Sequence, residues 1–202
     1  MNTNNLEVEK PKAWCYKVFP GHSDPDPMIL EEWDSKGVSE YGLLKGRRIE
    51  KWPEDMTFFA TGAHHEDYLF PSVVSWIIVS DKVRKALEGC GISDFQLLPV
   101  RAIHKESGRD LGPHWVLNPL HAAEAVDVER TQWLNPEKDK REYPHINILQ
   151  PVLREEVVRD LDVFLLKVRE GISVTVYVSE RVKACLERAQ ATGFKFTPVP
   201  AF

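Results

Sequence analysis

The hydrophobic and polar positions of this chain follow one pattern twice, in two copies whose aligned residues are 99 positions apart. Each copy starts with an apolar run, "VVSWIIVS" or "ISVTVYVS", that is rich in the β-branched residues typical of strands. Each continues with "DKVRKALE" or "ERVKACLE", where apolar residues three and four positions apart predict an amphipathic helix. A second extended stretch closes each copy. We therefore predict two related strand-helix-strand units, at about 73–103 and 172–199.

The residues that recur between the two copies all have a structural explanation. A serine can cap each helix, a valine and a leucine form its apolar face, a phenylalanine anchors the return strand and a proline limits strand pairing. These residues are Ser80, Val83, Leu87, Phe95 and Pro99 in the first copy and Ser179, Val182, Leu186, Phe194 and Pro198 in the second. None is a histidine, and neither serine lies in a G-x-S-x-G motif. The repeat therefore predicts architecture rather than catalysis.

The rest of the chain predicts further strands, at Ala13–Phe19, Met56–Ala60 and His114–Leu117, and a hairpin formed by "VFLLKVREG" and the run that follows it. By contrast, "MILEEWDSKG" predicts a short helix. The fold class is therefore α+β, with the two units packed in one domain on a mixed or antiparallel sheet.

No linker of glycine or serine residues divides the chain. We expect a flexible N-terminus at 1–12 and a single domain at 13–202, in which 13–112 and 113–202 could form two pseudo-repeated halves.

Composition narrows the class of protein. The chain has 202 residues, 43% of them hydrophobic and 28% charged, which is ordinary for a soluble globular protein. Its net charge of −5 argues against a partner that is a nucleic acid. The N-terminus has no apolar signal segment, and no apolar run is long enough to cross a membrane. We expect a cytoplasmic protein.

The three cysteines, Cys15, Cys90 and Cys185, are odd in number and far apart, with no spacing typical of metal ligands. We predict three unpaired thiols in a reducing compartment, and neither a cofactor nor a metal ion.

One local cluster has the residue types of a catalytic site. The stretch "GAHHEDY" places two histidines and two carboxylates together at His64–Asp67. Adjacent side chains on a strand point to opposite faces, and the HExxH spacing is absent because residue 69 is a leucine. A polar loop is the favoured interpretation, and a hydrolase that uses this cluster is the less favoured alternative.

One other stretch has the composition of a protein interface. "EEWDS" surrounds an aromatic residue with acidic ones, which makes Glu31, Glu32, Trp33 and Asp34 our candidates for partner binding. The alternative is that Trp33 packs inward while its neighbours face water. The loops Pro20–Pro27 and Glu137–Tyr143 are the next candidates.

Three stretches, taken in order, carry a family resemblance: "VSDKVRKALE" with "FQLLPV", then "WVLNPLHAAEAVDVERTQ", then "VYVSERVKACLERAQATGFKFTPV". In these the chain resembles the Imm-MXAN immunity domain, formerly a domain of unknown function, over about residues 70–202; the N-terminal third matches loosely. Asn118 and Asp127 fall on recurrent positions of the family, and we interpret both as structural.

The resemblance implies a cytoplasmic antitoxin of a bacterial polymorphic-toxin system, a context of interbacterial competition. Its partner would be a cognate protein toxin encoded by a neighbouring gene, which it would bind and block without any catalytic residue of its own. A cytoplasmic protein-protein adaptor, which would use Trp33 and exposed strand edges, is the main alternative.

Overall fold

The structure is a computed structural model that describes residues 13–22, 25–39, 43, 45–134, 148–168 and 171–202. Its strands are β1 (Ala13–Gly21), β2 (Ile29–Asp34), β3 (Thr57–Thr61), β4 (Tyr68–Pro71), β5 (Ile77–Ser80), β6 (Phe95–His104), β7 (Asp110–Pro119), β8 (Ala122–Ala123), β9 (Gln132–Trp133), β10 (Ile148–Gln150), β11 (Val163–Val168), β12 (Gly171–Ser179) and β13 (Gly193–Pro200). Its helices are α1 (Asp81–Gly89), α2 (Glu155–Val158) and α3 (Glu180–Arg188). None of the described helices is long and apolar enough to span a bilayer.

Most strands belong to one of two sheets. Six of them close into a barrel in the order β2-β3-β6-β7-β5-β4, and five form an open sheet in the order β13-β1-β12-β11-β8. Both sheets are mixed, because β3 pairs with β6, β2 with β4 and β11 with β8 in parallel, whereas their other pairs are antiparallel. The predicted α+β class with a mixed sheet is confirmed.

The capped helices lie where the pattern predicts them. The Ser80 hydroxyl accepts a hydrogen bond from the Val83 N–H, and the Ser179 hydroxyl accepts one from the Val182 N–H. Both helices bury the valine and the leucine of the repeat. Leu87, for instance, is fully buried. The serines thus satisfy backbone donors that a helix leaves unpaired in its first turn.

The strand before α1 is shorter than predicted, and the helix predicted at 28–37 is a strand. Residues 72–75 form bends, and β5 begins only at Ile77, because Val74 and Trp76 turn inward to fill the barrel. Residues 29–34 form β2, which pairs with β3 on one side and β4 on the other. Tertiary pairing overrides local helix preference there.

The boundary predicted between the halves 13–112 and 113–202 falls within a strand. β7 runs through residues 112 and 113, and β1 lies in the sheet built by β11, β12 and β13. The predicted flexible N-terminus, 1–12, lies outside the described residues.

Among the described residues, three hydrophobic clusters form the core of the molecule. The barrel core fills the barrel interior with residues such as Phe58 and Trp76. The central core lies between the two sheets and both long helices, and includes Leu87 and Leu186. The third core covers the other face of the open sheet, around Phe164. Because α1 and α3 meet in the central core, the two predicted units share one interior.

Two of the three cysteines form a disulfide, so the prediction of three unpaired thiols is wrong. Cys90, the residue after α1, is bonded to Cys185 of α3, with their Cα atoms 6.5 Å apart. Cys15 is free and buried. The sequence does not predict this bond, because the two residues are 95 positions apart and meet only through the packing of α1 on α3.

Candidate functional site

The predicted partner-binding residues form an exposed acidic face on β2. A β-bulge between Leu30 and Glu32 interrupts the pairing with β3, and both Glu31 and Glu32 are exposed, as is Asp34. We call Glu31, Glu32 and Asp34 the acidic face. Without the bulge, neighbouring side chains on a strand would point to opposite sides.

Part of this acidity is paired with nearby cations. Glu32 accepts a hydrogen bond from the Lys105 ammonium. Asp34 lies 2.7 Å from the ammonium of Lys36, whose hydrogen bonds lower the pKa of Asp34. These pairs are exposed, and a competing cation on a partner exchanges with them at little cost.

Trp33 is half-buried and packs inward. Its indole stacks on the Phe58 ring at 5.7 Å and meets the Trp76 ring edge-on at 4.9 Å. Most of the Trp33 side chain therefore packs inward, as in the alternative given from the sequence, and anchors β2 to the barrel core. Its exposed part remains next to the acidic face.

A cleft of about 370 Å³ opens between the barrel and the open sheet. We call it the apolar cleft because most of its lining side chains are apolar, and Ser72, Ser75 and Thr175 add hydroxyl groups to the lining. One wall is formed by β1 and β12, where Phe19 is 38% exposed and Val174 51% exposed. The other wall is the end of β4 and the bends that follow it, residues 70–76. Sequence reasoning missed this cleft, because three distant segments form it and none of them has a motif.

The residues of the His64–Asp67 cluster do not converge on one point. His65 contacts His114, with their Nε2 atoms 3.1 Å apart, whereas Glu66 contacts His22 on another loop. Asp67 accepts a hydrogen bond from the Ser80 hydroxyl at 2.7 Å. Within the described ranges, no group of three or more metal-ligating side chains comes together.

The buried His114 is held neutral. Burial is the main cause that lowers its pKa, and a backbone contact with Gly112 opposes this shift. Its Nδ1 lies 2.9 Å from the Gly112 carbonyl oxygen, which can only accept, so Nδ1 carries the hydrogen. The Nε2 atom of His114 is then the acceptor of an N–H from His65. This geometry orients the His114 ring inside the barrel wall, with both of its nitrogens in hydrogen bonds.

Asp67 is a capping and packing residue. Burial would raise its pKa, but hydrogen bonds from Ser80, Thr192 and Lys82 outweigh this effect and lower it. Its carboxylate therefore remains charged at the start of α1 and ties that helix to the loop before β13.

The two recurrent family positions are also built into the fold. Asn118 is buried at the end of β7 and donates to the Arg47 carbonyl at 2.9 Å. Asp127 accepts from the backbone of Glu129 and Arg130, which closes a turn. Of the two loops that were the next interface candidates, Pro20–Pro27 is described except for 23 and 24, and Glu137–Tyr143 lies outside the described residues.

The comparison with known families gives one finding. The model of the immunity protein family (Imm11) matches residues 17–201, so the likeness extends across the N-terminal third as well. No curated protein matches the chain. The family predicted from the sequence is confirmed: the chain belongs to the immunity protein family (Imm11).

Proposed function

We propose that this protein binds a cognate protein toxin and neutralises it by covering the toxin surface, with no bond made or broken. The observation that carries the proposal is the family match over residues 17–201. The toxin is encoded by a neighbouring gene of a polymorphic-toxin system, and the complex forms in the cytoplasm of the cell that makes both proteins.

The acidic face is the proposed contact for basic residues of the toxin. Its three carboxylates lie on one strand of a rigid barrel, and the net charge of −5 favours the approach of a basic partner. Charges of this kind raise the rate of association more than they raise affinity. We therefore expect added salt to slow the binding of the toxin more than it speeds dissociation.

The scaffold behind this surface is the proposed product of an internal duplication. Two features support it beyond the repeated sequence. The strands keep the same spatial order in both copies, β4-β5-β7-β6 and β11-β12-β1-β13. In both, the capping serine also donates to an aspartate that precedes the first strand of the set.

The experiment that tests the function is co-expression with the toxin encoded next to this gene. We expect the immunity protein to restore growth, to form a stable complex with the toxin, and to leave the recovered toxin chemically unchanged and active after the complex is separated. A toxin that is cleaved or modified would contradict the non-enzymatic mechanism. Failure both to restore growth and to bind would contradict the function itself, and binding to a different cytoplasmic protein would favour the adaptor.

A further inference from the structure

The apolar cleft begins where the pairing of β1 with β12 stops. Their register runs from Cys15 opposite Ser179 to Lys17 opposite Tyr177 and then ends. Continued in the same register, Pro20 would lie opposite Val174. A proline has no N–H to donate to a ladder, and the two strands beyond Lys17 line the cleft instead.

Among the described residues, none that lines the cleft carries a charge. The lining comes from Val18–Pro20, Tyr68, Phe70–Ile77 and Val174–Val176. In the whole chain 28% of residues are charged, so a surface cleft without one is unusual. A charged group that entered would lose part of its water and find no opposite charge on the described lining, whereas an apolar side chain would gain by leaving water.

The cleft is continuous with the acidic face. Phe70 and Pro71 of the cleft wall pair with Ile29 and Leu30 of β2, and the Ser72 N–H donates to the Leu30 carbonyl at 2.9 Å. The next residues of β2 belong to the acidic face. An apolar recess with a charged rim is the usual anatomy of a protein interface, in which a few anchors fill pockets and charged residues surround them.

The geometry points to the cleft as the anchor site for the toxin, an inference that rests on the proposed function. The occupant is an uncharged aromatic or branched aliphatic side chain on the toxin surface, flanked by basic residues that meet the acidic face. The anchor enters between Phe19 and Val174 and reaches toward Tyr68 and Trp76 at the junction of the barrel core and the central core.

The test measures the affinity for a catalytically inactive form of the neighbouring toxin. Val174→Glu places a carboxylate at the rim of the cleft, and we expect it to weaken binding about tenfold to a hundredfold. Val128→Glu is the matched control, because Val128 is 37% exposed and does not line the cleft; we expect a change below about twofold. Phe19→Ser, on β1 in the same wall of the cleft, should weaken binding in the same way as Val174→Glu. Circular dichroism and thermal melting verify that each variant is folded.

The outcomes separate the two proposals. If the wild-type protein does not bind the toxin, the proposed function is wrong. If the wild type binds and both cleft variants bind as tightly, the proposed function stands and the anchor site is wrong. Equal losses in Val174→Glu and Val128→Glu would also overturn the anchor site. So would a homodimer that Val174→Glu dissociates without a change in toxin affinity, since the cleft would then hold a second copy.

Discussion

The segment from β4 to β7 and the segment from β11 to β13, completed by β1, share a strand order and differ in their edges. In the first, β6 pairs with β7 on one side and β3 on the other, so the sheet closes into the barrel. In the second, β13 is an edge strand and carries Lys195, Pro198 and Pro200, which discourage further pairing. The same local pattern therefore produces two sheets, and strands from outside the pattern decide which sheet closes.

The first helix is tied to the rest of the molecule by an aspartate and a lysine. Asp67 accepts from the backbone and the hydroxyl of Ser80, and its other carboxylate oxygen lies 2.9 Å from the Lys82 ammonium. Lys82 also donates to the Gln190 carbonyl beyond the end of α3, at 2.6 Å. The start of one helix is thereby tied to the end of the other.

Helix α3 has the same arrangement, which ties its start to the end of α1. Asp162 accepts from the backbone and hydroxyl of Ser179 and from the Arg181 guanidinium at 2.7 Å. Arg181 also donates to the carbonyls of Cys90 and Gly91, just after α1. The start of each helix is therefore tied to the end of the other helix. We expect equivalent substitutions in the two segments to have similar effects on stability.

The largest expected effect is the loss of a buried leucine. We expect Leu87→Ala and Leu186→Ala each to lower the free energy of unfolding by about 2–5 kcal/mol, because each removes a side chain from the shared central core and leaves a cavity. Urea denaturation measures the loss, and Lys195→Ala, at an exposed position, should stay within about 0.5 kcal/mol. If either substitution left the free energy of unfolding almost unchanged, the equivalence of α1 and α3 would be wrong.

The next largest effect is expected when the disulfide between the two segments is reduced. Reduction should lower the free energy of unfolding by about 2–4 kcal/mol, because Cys90 and Cys185 close a long loop of chain. Denaturation with and without dithiothreitol measures this difference, and Cys90→Ser should remove it. The proposed cytoplasmic location is one that keeps thiols reduced, so the value for the reduced chain describes the working protein there. A difference that persisted in Cys90→Ser would contradict this account.

The sequence predicted the local part of this comparison and not the long-range part. Ser80 and Ser179 were recognisable as caps, since a cap depends on residues within one helical turn. The closure of the barrel was not, because β2 and β3 pair in parallel with strands far along the chain. The acidic residues of the candidate site were identified, but their exposure depends on a bulge, and the cleft beside them depends on three segments that meet only in the folded chain.

A smaller effect is expected from the two aspartates. Asp67→Asn and Asp162→Asn should each lower the free energy of unfolding by about 1–3 kcal/mol at pH 7, because each removes a charged partner of a capping serine and of a cation. In wild-type protein the pKa of Asp67 is lowered, so its contribution is present above the unfolded pKa and is lost as the pH falls through the folded one. The loss in Asp67→Asn should therefore shrink in acid. A loss that is the same at pH 3 and pH 7 would contradict this role.

The smallest expected effect is a difference between the two segments in how pH changes their contribution to stability. His114 pairs with Ser80 and Cys15 pairs with Ser179, so they occupy equivalent places. Burial lowers the pKa of His114 but raises the pKa of Cys15 to about 12. As the pH falls, the unfolded chain therefore binds a proton at His114 before the folded chain does. Stability then decreases as the pH drops below about 6.5. As the pH rises, the unfolded chain loses the Cys15 thiol proton before the folded chain does. Stability then decreases as the pH rises above about 9.

Thermal melting across this pH range tests the assignment. His114→Gln should flatten the loss of stability on the acid side and leave the alkaline side unchanged, and Cys15→Ala should do the reverse between about pH 8.5 and 9.5, before tyrosines titrate. If Cys15→Ala altered the acid side, or if neither variant changed its own side, the two residues would not be the groups that distinguish the segments. Either substitution also removes a buried side chain, so only the change of slope with pH, and not the loss at a single pH, reports on the titrating group.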